Sequence, residues 1–236
     1  GNLGHVCLQF LYKHKGIHTS FVLTDKNSDT ITKFCEDNEI PIYTGNPRKN
    51  SNEVQVFLND KSVDYIFSIN YLFIIGKQIL GHPEKYCINF HGSLLPKYRG
   101  RTPHVWAIIN GEEETGITAH IMDEGCDTGP IIKQIVIPIE YWDTGGSLLD
   151  KFTDKYPELL DNVITELQKN NLRIQEQDHQ KATYFGKRNP EDGEINWNWQ
   201  KERIRNWIKA QAYPYPEAFS YLNGQKIIND KNTYSD

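Results

Sequence analysis

The sequence predicts an α/β fold in which a mostly parallel sheet carries helices on both faces. Two observations predict it. Short apolar runs at residues 20–24, 40–43, 63–69 and 87–90 alternate with stretches whose apolar residues recur at helical spacing. The polar residues that stand out chemically then fall at or just past the ends of those runs, where sheets of this kind bind ligands.

Taken in order, Leu3, Val6, Cys7, Phe10 and Leu11 space a first amphipathic helix, and 20–24 follows as a buried strand. Ile31, Phe34 and Cys35 mark a second helix with Ser28 or Asp29 as its cap. After the strand at 40–43, Asn50 and Glu53 form a capping pair ahead of Val54, Phe57 and Leu58. Beyond the strands at 63–69 and 87–90, Thr102-Pro103 starts a helix that Gly111 stops. Ile117, Ala119 and Ile121 alternate with Thr118, His120 and Met122, which is a strand with two different faces. Residues 131–139 are the next strand. A helix runs over 146–167, where Pro157 predicts a kink or a restart. At the other end, Gly1-Asn2-Leu3-Gly4 reads as the turn between a strand and the first helix, so a strand is expected ahead of Gly1.

The texture changes after Asn170. Trp197 and Trp199 precede a helix with Ile204, Trp207 and Ile208, and Tyr213-Pro214-Tyr215-Pro216 ends it. Residues 218–222 and 225–228 flank Asn223-Gly224, a hairpin signature. The expected organisation is a Rossmann-like main domain over 1–180 and a small helix-and-hairpin region over 181–236 packed on it.

Composition excludes several classes. The 236 residues are 38 % hydrophobic and 12 % aromatic, enough for a packed core. The net charge of −5 and the lack of a long basic run argue against a nucleic-acid groove. No apolar stretch is long enough to span a membrane, and the start carries no signal-peptide pattern. The four cysteines, Cys7, Cys35, Cys87 and Cys126, have no CxxC spacing and read as reduced thiols of a cytoplasmic protein. No metal site is expected.

The chemistry concentrates in residues 88–130. Asn89 and His91, two apart, share a face in extended backbone, and Asp127 lies in a loop after the next strand. A neutral imidazole can take a proton from an attacking amine and return it to a leaving nitrogen. A carboxylate orients that imidazole and stabilises its cation. An amide N–H can donate to the oxyanion of a tetrahedral intermediate. Taken one at a time, all three residues read as structural: a core histidine, a turn aspartate and a strand-end asparagine. Ser93 lacks the Gly-x-Ser-x-Gly elbow of a nucleophile.

Their joint pattern is more specific. Asn89-Phe90-His91-Gly92-Ser93-Leu94-Leu95-Pro96, Tyr98-Arg99-Gly100, Gly116-Ile117-Thr118 and Asp127-Thr128-Gly129-Pro130-Ile131-Ile132 together resemble the N10-formyltetrahydrofolate-dependent formyltransferases. The likeness is strong over 64–134 and weaker through 188–193 and 214–222. It implies that Asn89, His91 and Asp127 are catalytic and that N10-formyltetrahydrofolate is the co-substrate. It further implies that Phe73, Ile74 and Ile75, with Asp123, Glu124, Gly125 and Cys126, hold the folate ring, largely through backbone groups.

Lys97-Tyr98-Arg99-Gly100-Arg101 resembles the nucleotide-linked amino-sugar branch, which implies acceptor binding by Arg99, Arg101, Ser93 and Tyr221. Guanidinium forks suit a diphosphate, although a solvated basic loop reads equally well. The implied activity is formyl transfer to a nucleotide-diphosphate amino-deoxysugar, of the dTDP-4-amino-4,6-dideoxyglucose type, for surface polysaccharide (O-antigen) synthesis. A methionyl-tRNA formyltransferase, a formyl-folate hydrolase and a folate-binding module remain alternatives. Exposed apolar residues in the tail point to a homodimer through the C-terminal region.

Overall fold

The computed structural model describes residues 2–229. The helices are α1 (Asn2–Lys13), α2 (Asp29–Asp37), α3 (Ser51–Leu58), α4 (Lys77–Leu80), α5 (Pro103–Ile109), α6 (Gly145–Gln168) and α7 (Lys201–Ala210). The strands are β1 (Val22–Thr24), β2 (Ile42–Thr44), β3 (Tyr65–Ile69), β4 (Tyr86–His91), β5 (Arg99–Gly100), β6 (Glu114–Ile121), β7 (Ile131–Pro138), β8 (Tyr184–Phe185), β9 (Ala218–Leu222) and β10 (Gln225–Asn229). β1 pairs in parallel with β2, and β3 with β4. The four-stranded sheet has the order β3-β4-β6-β7, with β6 antiparallel to β4. The α/β alternation expected from the sequence is therefore present.

The chain forms two compact units. The first comprises residues up to His91, Thr118–Lys133 and Lys155–Gln177; the second comprises Gly92–Ile117, Gln134–Asp154 and the chain from Asp178 onward. The chain passes between them five times.

The first unit packs its short strands between amphipathic helices. One apolar cluster joins Leu8, Ile31, Cys35 and Ile40, with Val22, Phe34 and Ile42 against it. Another joins Val54, Leu58 and Ile79, with Leu23, Phe57, Ile66 and Ile75. Instead of breaking at Pro157, α6 continues as one helix of 24 residues. An internal proline costs about 3 kcal/mol. Leu159, Leu160, Val163 and Ile164 are all at most 1 % exposed, and each contributes roughly 1.5–3 kcal/mol on burial, so packing outweighs the break.

The second unit is organised by aromatic and guanidinium contacts. Tyr98 stacks on Phe185 at 4.9 Å. Arg188 lies over both Trp106 and Trp207, at 5.0 and 4.3 Å from the ring centroids, and donates to the Asp192 carbonyl. Gly145 lies so close to the Ala210 carbonyl that a Cβ would stand 2.2 Å from it. The β9–β10 hairpin turns on Asn223 and Gly224, both at positive φ, as that dipeptide predicts.

Three predicted caps stand at the right positions without making the expected bonds. The Ser28 hydroxyl donates to Asp25 Oδ2, ahead of α2. The Asn50 side chain donates to the Glu53 carboxylate instead of exchanging bonds with the backbone. Thr102 adopts a left-handed conformation with φ 46° and caps nothing on α5. In the first two cases a nearby carboxylate outcompetes the backbone amide or carbonyl for the polar side chain.

Candidate active site

β4 places Asn89 and His91 on one face, while Ile88 and Phe90 turn into the core at 0 and 2 % exposure. Tyr156 fixes the strand between them: its hydroxyl donates to the Phe90 carbonyl at 3.1 Å. Burial pushes that phenol well above its ordinary pKa, so it stays a donor. Across the strand pair, Asn89 stands opposite His120 and His91 opposite Thr118.

β6 then leads into a nine-residue loop whose stem is closed by the Ile121 amide donating to the Pro130 carbonyl and the Met122 amide donating to the Cys87 carbonyl. Inside it, Asp123 Oδ1 accepts from the Gly125 amide and the Thr128 hydroxyl, at 2.9 and 2.6 Å. Gln177 Nε2 donates to the carbonyls of Asp127 and Gly129. The loop passes so close to β6 that a Cβ on Gly129 would stand 1.9 Å from the Ile121 carbonyl oxygen. These bonds hold Asp127 at φ 55°, an uncommon conformation for a residue with a side chain.

The result is a cluster of four side chains. Asp127 Oδ2 lies 3.6 Å from His91 Nδ1, and its Oδ1 accepts from Asn89 Nδ2 at 3.2 Å. Oδ1 is also 3.6 Å from His120 Nε2, which lies 3.2 Å from Asn89 Nδ2. His91 is 7 % exposed and His120 2 %. His91 thus turns its Nδ1 toward the carboxylate. From the 3.2, 3.2 and 3.6 Å separations, the two acceptors subtend roughly 70° at Asn89 Nδ2, well under the 120° between its N–H bonds. One three-centre N–H fits both acceptors.

The structure thus brings Asn89, His91 and Asp127 together, and it adds His120, which the sequence reading placed only on the polar face of a strand. That polar alternation was the available signal. Its meaning needed the β4–β6 register.

The two segments expected at the folate ring also meet. Phe73, Ile74 and Ile75 lie in the loop after β3, with Ile74 64 % exposed and Ile75 packed on the Val54–Leu58–Ile79 cluster. Lys77, at the start of α4, pairs with Glu124 at 2.8 Å, tying this segment to the loop carrying Asp123, Gly125 and Cys126.

The acceptor-side residues lie in the second unit and divide sharply. Ser93 is fully buried and its hydroxyl donates to the Lys97 carbonyl at 2.7 Å. Arg99 is 1 % exposed; it donates to the Tyr184 hydroxyl and lies 3.1 Å from His179 Nδ1. As placed, Ser93 bonds within the turn and Arg99 bonds across the β5–β8 pair. Arg101 and Tyr221 are exposed.

This α/β scaffold gathers an amide, an imidazole and a carboxylate beside the end of β4. Two family models match: "Formyl transferase" over residues 2–164 and "Formyl transferase, C-terminal domain" over residues 187–229. The chain belongs to the formyl transferase family and is a one-carbon transfer enzyme. Among solved structures it is similar to WlaRD, described as a sugar 3N-formyl transferase in the presence of dTDP and 5-N-formyl-THF. That match has 26 % identity and a TM-score of 0.77, covering 96 % of this chain and 81 % of the other. A 4-N formyltransferase from Francisella tularensis shares the fold at 22 % identity and TM-score 0.79, covering 97 % of this chain and 91 % of that one. A methionyl-tRNA formyltransferase from Clostridium thermocellum matches at 26 % identity and TM-score 0.63, covering 89 % of this chain and 97 % of the other.

Proposed function

We propose that this enzyme moves a formyl group from N10-formyltetrahydrofolate to the amine of a nucleotide-diphosphate amino-deoxysugar, of the dTDP-4-amino-4,6-dideoxyglucose type, feeding surface polysaccharide synthesis. The observation that carries the reading is the meeting of Asn89, His91 and Asp127, 38 residues apart in chain, within hydrogen-bond or ion-pair reach of one another. His91 Nε2 takes the proton released as the sugar nitrogen bonds to the formyl carbon. Asp127 stabilises the imidazolium, and the second N–H of Asn89 meets the oxyanion. The intermediate collapses by breaking the bond from the formyl carbon to N10, and His91 returns the proton to that nitrogen. The products are the N-formylated (formamido) sugar nucleotide and tetrahydrofolate.

Phe73–Ile75 and the 123–126 loop form the folate-side walls, and Arg101 is the exposed guanidinium for the diphosphate, with Tyr221 offering a ring to the base. The acidic net charge favours a small anionic acceptor held by few cations over a tRNA. The match to the Clostridium thermocellum enzyme keeps methionyl-tRNA as the second reading.

The test is acceptor-dependent release of tetrahydrofolate, measured with dTDP-4-amino, dTDP-3-amino and UDP-amino sugars, initiator methionyl-tRNA, and no acceptor. Release with the dTDP-4-amino sugar supports the assignment. Transfer only to the tRNA, or release with no acceptor, overturns it in favour of the tRNA enzyme or a hydrolase.

A further inference from the structure

The two segments proposed to hold the folate are joined at both ends. At one end the junction is Cys87 of β4. Its carbonyl accepts from the Met122 amide at the stem of the 122–130 loop. Its thiol donates to the Ile79 and Leu80 carbonyls at the end of α4, at 3.4 and 3.7 Å. At the other end Lys77 Nζ, on the first residue of α4, meets Glu124 Oε1 at 2.8 Å. These contacts close a circuit from Lys77 along α4 to Cys87, across to Met122, and through Asp123 back to Glu124.

The two junctions differ in character. Cys87 is 4 % exposed and Ile79 2 %, and Gln78 Nε2 donates to the Ser51 carbonyl at 3.2 Å, so α4 and the loop stem are fixed to the core. The Lys77 and Glu124 side chains are 80 and 70 % exposed. An ion pair in that setting shifts an equilibrium by roughly 1.5- to 5-fold and is screened by salt. Within the loop, Asp123 holds Gly125 and Thr128, and Gln177 holds the carbonyls of Asp127 and Gly129. Those bonds set the loop's shape; the Lys77 pair sets its distance from α4.

We infer that Lys77 and Glu124 are positioning residues, a salt-sensitive clasp that holds the two folate-side walls together opposite the fixed junction at Cys87. The inference rests on the proposed folate reading of Phe73–Ile75 and the 123–126 loop. A strong junction on one side and a weak one on the other let the walls part at little cost when the ligand enters or leaves. Once the ring lies between them, the pair favours closure and slows its escape. Asp127 has supports of its own in Asn89 and Gln177, so the clasp acts on binding more than on the placement of that carboxylate.

The test uses the 236-residue chain as wild type, Lys77→Met, Glu124→Gln, and the charge swap Lys77→Glu with Glu124→Lys. Amide hydrogen exchange of the unliganded proteins is followed over residues 122–127. Exchange there is expected to rise roughly 1.5- to 5-fold in each single variant and to fall back toward wild type in the swap, with β9 and β10 unchanged. The dissociation constant of 5-formyltetrahydrofolate, by titration calorimetry, is expected to rise by a similar factor in the single variants and to recover in the swap. Salt at about 0.5 M should weaken binding by wild type more than by Lys77→Met. Equal exchange in wild type and both single variants overturns the inference. So does a swap no better than the single variants, or a loss in Lys77→Met that Glu124→Gln does not share, because Lys77 then acts on the ligand directly. Exchange that responds while the dissociation constant does not overturns the role in binding. If wild type binds no folate, the folate reading fails instead, and the exchange data still decide whether the clasp exists.

Discussion

In its neutral form the imidazole of His120 is a hydrogen-bond acceptor for Asn89. Its Nδ1 lies 2.9 Å from the Ile121 carbonyl, which can only accept, so Nδ1 carries the proton of the neutral ring. Nε2 is then the lone-pair side, and it faces Asn89 Nδ2 at 3.2 Å. This dictates which end of the Asn89 amide faces His120 and Asp127. His120 is a positioning residue: His120→Ala is expected to lower kcat about 10–100-fold, less than the 10²–10³ for removing an oxyanion donor outright. KM for the folate should stay unchanged. Steady-state kinetics with a thermal melt check it; a kcat within twofold of wild type would end the assignment.

In the proposed mechanism His91 and Asp127 act on the proton itself. Replacing His91 by Ala removes the general base and is expected to lower kcat by about 10²–10⁴. Asp127→Asn keeps the bond that Gln177 Nε2 makes to the backbone carbonyl of residue 127. It removes the charge 3.6 Å from His91 Nδ1, so a loss of similar order is expected. Both variants should retain wild-type circular dichroism. Near-normal turnover in either refutes the roles given to them.

Much of this architecture was legible in the sequence, because period-two and helical spacing are local properties. The strands at 63–69 and 87–90 and the helices ending near Leu11, Leu58 and Leu167 follow from spacing alone. What escaped was non-local. His120 gains its meaning only when β6 lies antiparallel to β4 in the register that sets it opposite Asn89. Arg99 reads from the sequence as a diphosphate ligand or a solvated loop cation, and its burial beside Tyr184 and His179, 85 and 80 residues away, is not visible there. Short elements such as α4 and the two-residue β5 and β8 carry too few residues to show a period.

Thiol reactivity should separate the four cysteines cleanly. Cys7, Cys35 and Cys87 are buried, and burial pushes their thiols up to about 12, 11 and 12 respectively, with Glu36 adding to the effect at Cys35. Cys126 is exposed on the loop beside Asp127. Iodoacetamide at pH 8 is therefore expected to label Cys126 alone in the native protein and all four in urea. Because Cys126 neighbours Asp127 in the proposed folate loop, bound formyl-folate should slow that labelling. Peptide mass mapping reads both outcomes.

The acid limb of stability should depend on Asp143. Its carboxylate is 1 % exposed, and burial alone would raise its pKa. The opposing bonds win: Lys151 Nζ at 2.5 Å, the Glu140 amide at 2.7 Å and the Ser147 hydroxyl at 2.8 Å hold it below the usual carboxylate range. A folded-state pKa below the unfolded one means that the unfolded chain takes up the proton first. The stabilisation is complete above the unfolded value of about 4 and is lost as pH falls through the folded value. Asp143→Asn leaves Lys151 without its partner and is expected to cost about 2–4 kcal/mol at pH 7. The gap between wild type and variant should narrow below about pH 4, as the wild-type carboxylate protonates. Urea titrations at pH 7 and 3.5 measure it, and a gap that stays constant or widens in acid would show that Asp143 is not the linked group.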